Sequence, residues 1–224
     1  MDREQYRIGI IDDDCTKVTQ LITSIMLCCN NEDGQPLKEK YSNCDLVPVE
    51  LSLSDTTDEM VEQVVAERLD AVIIDYKLSS QKAIDYSGVS VAYEIHSRLY
   101  NFPVFILTTY QDDLFEHELF DSYLVFDFSR YIGEEEERLE LNAKLIQQIR
   151  KYRREIENWK LELRQLLPRE GESESVDERI LELDTRLEKT LNGNSSFSIP
   201  IKQGFTSEKI DELISKIDSL IEGE

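Results

Sequence analysis

The stretch Ile8-Gly9-Ile10-Ile11-Asp12-Asp13-Asp14 decides the fold. A β-prone apolar run over residues 6–11 stops abruptly at three consecutive acids. Residues 16–29 then read as a helix, because Val18, Ile22, Ile25 and Cys29 recur at helical spacing. Moving outward, the same alternation repeats. Residues 30–43 hold Asn, Asp, Gly and Pro and read as a loop. Residues 46–51 form a second expected strand, and 56–68 a helix with Met60, Val64 and Val65 apolar. Ala71-Val72-Ile73-Ile74 reads as a buried strand that terminates at Asp75, followed by polar loop over 77–87. Residues 88–99 carry Val91, Ile95 and Leu99 on one helical face. A fourth strand over 103–107 ends at Thr108-Thr109, a short helix is expected over 112–120, and a fifth strand over 123–126. Strands alternating with helices five times predict an α/β domain over residues 1–132, a doubly wound five-stranded parallel sheet. Such sheets meet ligands at the carboxyl ends of their strands, near a topological switch point. Those ends offer Asp12, Asp13, Asp75 and Thr108.

The character changes at Gly133. Acids at 134–137 suit the positive end of a helix dipole and open a helix reaching about residue 167. Leu145, Ile149, Tyr152, Ile156, Trp159, Leu163 and Leu166 alternate in steps of four and three, a heptad seam. Pro168 and Gly171 break it, and Val176, Ile180, Leu183, Leu187 and Leu191 repeat it over a second helix. Residues 133–191 therefore predict a helical hairpin or coiled coil. The seam has two readings, closure within the chain or pairing between chains as a homodimer. Residues 192–205 read as a linker, and 206–224 as a C-terminal amphipathic helix with its helical turns over 206–221.

A formal net charge of −22 among 224 residues repels phosphate backbones and anionic lipid alike. Nucleic-acid and membrane partners are not expected, and no apolar run is long enough to span a bilayer. The basic group Arg150, Lys151, Arg153 and Arg154 is interleaved with glutamates and reads as a solvated helix face. No leader segment is legible, which makes the cytoplasm the expected compartment. Cys15, Cys28, Cys29 and Cys44 lack the paired spacing of a zinc site and read as reduced thiols. His96 and His117 fall on expected helices with no second ligand nearby, so neither is expected to hold a metal.

Four motifs in this order resemble the receiver domains of response regulators, over roughly residues 6–132. Ile8 to Asp14 is similar to their first strand and acidic pair. Ala71 to Asp75 resembles the strand that presents the phospho-accepting aspartate. Phe102 to Thr109 resembles the fourth strand with its switch hydroxyl, and Tyr123-Leu124-Val125 the fifth strand. The resemblance implies a flavodoxin-like fold. It implies Asp75 as phospho-acceptor, Thr108 as switch, and Mg2+ held by Asp12, Asp13 and Asp75. A histidine kinase or other signalling protein would then act upstream, and a protein partner would meet the helical region. The chemistry is coherent, because phosphoryl transfer to a carboxylate needs a cation to offset charge on the incoming oxygens. Two departures stand out. The family's lysine at the end of the fifth strand is replaced by Phe126 and Asp127, and Gly88 matches the family glycine about five residues later than usual.

Three functional classes follow. The first is a two-component-type signalling or adaptor protein that accepts a phosphoryl group at Asp75 and signals through its helical region. The second is a degenerate receiver that docks or assembles partners without being phosphorylated. The third is a Mg2+-dependent phosphatase with Asp75 as nucleophile, for which Lys77 stands where a second acid is needed. Asp12–Asp14 also has a purely local reading, as a turn in which Asp14 or Thr16 caps the next helix.

Overall fold

The computed structural model describes residues 3–26, 44–78, 84–109 and 124–192. The expected loop over 30–43, residues 79–83 of the loop after Asp75, the short helix over 112–120, the linker and the C-terminal helix lie outside the described residues. So do Cys28, Cys29 and His117. Two compact units are present, Met1–Glu155 and Ile156–Glu224.

In the first unit, β1 (Glu4–Ile11), β2 (Cys44–Glu50), β3 (Ala71–Asp75), β4 (Val104–Thr108) and β5 (Val125–Asp127) form one sheet. All four pairings are parallel, in the order β2-β1-β3-β4-β5. That is the doubly wound order in which the connections reverse direction between β1 and β3. The helices are α1 (Cys15–Met26), α2 (Thr57–Ala66), α3 (Gly88–Arg98), α4 (Phe128–Gly133) and the first part of α5 (Glu135–Leu166).

Side chains alternate across a strand, so β1 feeds two cores. Tyr6, Ile8 and Ile10 join Val18, Leu21 and Ile25 of α1 and Leu141, Leu145 and Ile149 of α5 in one buried cluster. On the opposite face the side chain of Gly9 is a single hydrogen because Leu69 fills its place: a Cβ there would stand 2.5 Å from Leu69 Cδ1. Met60, Val61 and Val64 of α2 and Val91, Ala92 and Ile95 of α3 are buried too. β3 is buried at all five positions, as a central parallel strand must be.

Three elements differ from the sequence expectation. β1 and β2 each begin two residues earlier, at Glu4 and Cys44, where each pairs with the other. β5 is short and runs straight into α4, which the sequence reading did not anticipate. Asp127 caps that helix, its carboxylate accepting from the Arg130 amide at 2.9 Å. The seam residues also divide by task. Leu145, Ile149 and Tyr152 belong to the α/β core, with Tyr152 edge-on to Phe102 at 5.7 Å. Arg150 and Arg153 then lie over the Tyr6 ring, at 5.9 and 4.7 Å, rather than forming a purely solvated face. Arg153 also donates to Asp70 at 2.6 Å.

In the second unit the later turns of α5 face α6 (Glu174–Asn192) across a 3-10 turn, Leu167–Arg169. Gly171 takes the left-handed conformation there, with φ of 83°. Arg179 bridges back to Glu162 through two bonds of 2.7 and 2.9 Å. Arg186 stacks over Trp159 at 5.7 Å. Leu183 and Leu187 are buried. These contacts between α5 and α6 form an antiparallel hairpin.

Candidate functional site

β1 and β3 are neighbours that end at the switch point, and each hands an acid to the same place. Asp12 and Asp13 follow β1, and Asp75 is the last residue of β3. One carboxylate oxygen from each of the three lies within 4.8 Å of the others. Asp12 and Asp75 are buried, and Asp13 is partly exposed.

Local bonds hold these groups. The Asp12 carboxylate accepts from the Asp14 amide at 2.8 Å, and the Asp14 carboxylate accepts from the Thr16 amide at 2.8 Å. Asp14 therefore caps α1, while the Asp12 carboxylate lies beside those of Asp13 and Asp75. Behind Asp75, the Gly88 amide donates to the Tyr76 carbonyl at 3.1 Å. A Cβ on Gly88 would stand 1.9 Å from the Asp75 carbonyl oxygen. Only glycine lets α3 begin this close to the strand end, which is the physical need behind the glycine singled out in the sequence.

Burial dominates the electrostatics. It raises Asp12 to about 7, although the Asp14 amide pulls the other way, and the Asp75 charge adds to the rise. Burial raises Asp75 too, against the opposing pull of Lys17. Lys17 Nζ, from the first turn of α1, donates to Asp75 Oδ2 at 3.0 Å. Burial alone would lower the Lys17 pKa, but its bond to Asp75 and the charges of Asp75, Asp12 and Asp14 raise it. Sequence reading missed this residue. Lys17 sits on the polar side of an amphipathic helix, and only the apposition of α1 and β3 makes it part of the pocket.

Thr108 ends β4 and is fully buried, one register position beyond the Asp75–Leu107 pair. Asp127 is its partner on β5. Phe126, at the position of the family lysine, turns into the core, with its ring 6.1 Å from that of Phe105. Arg130 pairs with Glu134 and Glu137. Lys77 is exposed. His96 is exposed on α3, with its Nε2 3.2 Å from the Phe102 carbonyl.

The donor set is chemically narrow. Three carboxylates in a small space suit a hard cation such as Mg2+, which takes one or two carboxylates and completes its shell with water. Lys17 supplies one positive charge against the three carboxylates, and a divalent ion would favour the ionised forms that burial disfavours.

No protein-family model matches the chain, and no curated protein matches it by sequence. Among solved structures it is similar to the receiver domain of nitrogen regulatory protein C, at 18% identity, covering 68% of this chain and 99% of that one, with a TM-score of 0.38. It is also similar to the anti-anti-sigma factor PhyR from Bartonella quintana, at 13% identity over 70% of this chain, with a TM-score of 0.42. This chain spans about half of the PhyR chain, 51%. A third match is a fusion carrying the yeast Spc42 trimeric coiled coil, at 15% identity, covering 83% of this chain and 96% of that one, with a TM-score of 0.44. The sheet order and the acids at its switch point belong to the chain itself, and they make its N-terminal part a doubly wound, flavodoxin-like α/β unit with an acidic switch point, followed by a helical hairpin.

Proposed function

We propose that this chain is a two-component-type signalling or adaptor protein that accepts a phosphoryl group on Asp75 and acts through protein contacts of its helical region. The observation that carries the reading is the meeting of Asp12, Asp13 and Asp75 within 4.8 Å at the switch point of a parallel sheet. Mg2+ held by these three residues would offset the charge on the phosphoryl oxygens. An Asp75 carboxylate oxygen attacks the phosphorus of an acyl phosphate or phosphohistidine donor. The new O–P bond forms as the donor's own bond to phosphorus breaks, and the donor keeps the electron pair and leaves as carboxylate or imidazole. Asp75 must be ionised for this, and the Lys17 bond favours that form against burial. Thr108, at the end of the next strand, is the hydroxyl assigned to the phosphoryl oxygens in the switched state.

A second reading, a docking or assembly module without phosphorylation, is favoured by one observation. Phe126 is committed to the core and Asp127 to capping α4, so the end of β5 brings an acid rather than a cation to this edge. The discriminating experiment is intact mass after incubation with Mg2+ and acetyl phosphate, comparing wild type with Asp75→Asn. A phosphoryl-sized mass gain in wild type alone supports the first reading. A folded, Mg2+-binding wild type that gains no mass leaves the docking module.

A further inference from the structure

We infer that Lys17 is the residue that pairs with the phosphoryl group on Asp75, a cation supplied by α1 instead of by the end of β5. This deepens the proposed function and rests on it. The inference begins from the ion pair. Lys17 Nζ lies 3.0 Å from Asp75 Oδ2, and its side chain is 22% exposed against 7% for Asp75. A partly desolvated pair of this kind attracts far more strongly than one on the open surface. The ammonium also sits 5.6 Å from the centre of the Phe128 ring. A carboxylate on one side and an aromatic face on the other hold it at the rim of the pocket. Phe128 follows directly on β5, so the edge that brings no cation of its own supplies instead the surface against which one is held.

The charge balance fits this placement. An ammonium carries three donors. One engages Asp75 Oδ2, and rotation about the terminal bond lets the others turn to an acceptor beside it. Transfer to Asp75 replaces a carboxylate oxygen's charge with a phosphoryl group of greater charge at that end. The ammonium then exchanges an ion pair with the carboxylate for one with the phosphoryl oxygens, without crossing the pocket. Arg130 is engaged by Glu134 and Glu137, which leaves Lys17 as the cation paired with Asp75 among the described residues.

The test compares the full chain with Lys17→Met, Lys17→Arg and Phe128→Leu. Two quantities are read by intact mass with acetyl phosphate and Mg2+: the rate of phosphoryl gain at Asp75 and its persistence after donor removal. Lys17→Met keeps the stem and removes the charge. It is expected to slow labelling on the order of a hundredfold, the loss that follows removal of one donor to a developing oxyanion. Lys17→Arg is expected to recover part of that loss, which a purely structural ion pair would not require. Phe128→Leu is expected to slow labelling severalfold, and it carries the test if Lys17→Met does not fold. Labelling of the folded variants at the wild-type rate would overturn the role of Lys17 while leaving phosphorylation of Asp75 intact. A wild type that binds Mg2+ and never gains mass would overturn both.

Discussion

Replacing Gly88 by alanine should damage the site through the backbone alone. A Cβ at this position meets the Asp75 carbonyl oxygen at 1.9 Å, its carbon at 2.9 Å and Ile74 Cγ2 at 3.0 Å. Two of those three atoms are backbone and cannot rotate away. Moving from 1.9 Å to even the 3.0 Å lower limit of real contacts requires α3 and the end of β3 to part by 1.1 Å. Overpacking of this kind costs about 1–3 kcal/mol. Alanine's better helix propensity offsets at most ~1 kcal/mol. With the full offset the net loss is still up to about 2 kcal/mol, or up to about 8 °C in melting temperature for a unit of this size. Gly133→Ala is the control, because nothing lies within 4 Å of its added Cβ and it ends α4 with ordinary backbone. It should be neutral or stabilise by about 0.4–1 kcal/mol.

The assay is urea unfolding followed by far-UV circular dichroism, with and without Mg2+. At Mg2+ tenfold above its dissociation constant, binding to the folded form alone adds about 1.4 kcal/mol to the wild type. Gly88→Ala should reduce that gain as well, because the displaced carbonyl belongs to Asp75 itself. A Gly88→Ala midpoint equal to or above that of wild type would refute the steric argument. A lowered midpoint with an undiminished Mg2+ gain would separate packing from the site.

Two further outcomes are expected. Partial desolvation lowers the His96 pKa from its usual 6.5, so the unfolded chain binds the proton more readily, and stability present above about pH 6.5 is lost as the pH falls toward the folded value. The stability of wild type relative to His96→Gln should therefore fall modestly below that pH, the exposure of the residue keeping the effect small, and a flat difference in pH-dependent urea titrations would contradict it. Leu183→Ala empties a fully buried position of α6 and should cost the hairpin about 2–5 kcal/mol, read through the chain's single tryptophan, Trp159; an unchanged fluorescence midpoint would show that the hairpin does not depend on this contact.

Much of the site was legible because its signals are local. An apolar run cut off by acids marks a strand end without any tertiary information, and it located Asp12, Asp13 and Asp75 in turn. Gly88 was legible as a glycine of special position, but its reason, the carbonyl of Asp75, is a contact across 13 residues. Helix α4 has a readable signal in Asp127, an N-cap residue type at the end of β5. Arg150 and Arg153 were read as solvent-facing because periodicity assigns a side chain to a face without naming what lies opposite, which here is the Tyr6 ring.

By itself the sequence determined the alternation of strands and helices, the acids at the strand ends and the presence of a seam in the long helix. Each depends on spacing along one element, where backbone geometry sets which residues share a face. Tertiary structure alone decided which neighbours those faces meet. It divided the seam between the α/β core at Leu145 and Ile149 and the hairpin at Trp159, because a heptad stripe is equally able to pack on a sheet or on a helix. It also brought Lys17 to Asp75 across 58 positions, because β1 and β3 are adjacent at the switch point and α1 starts beside both.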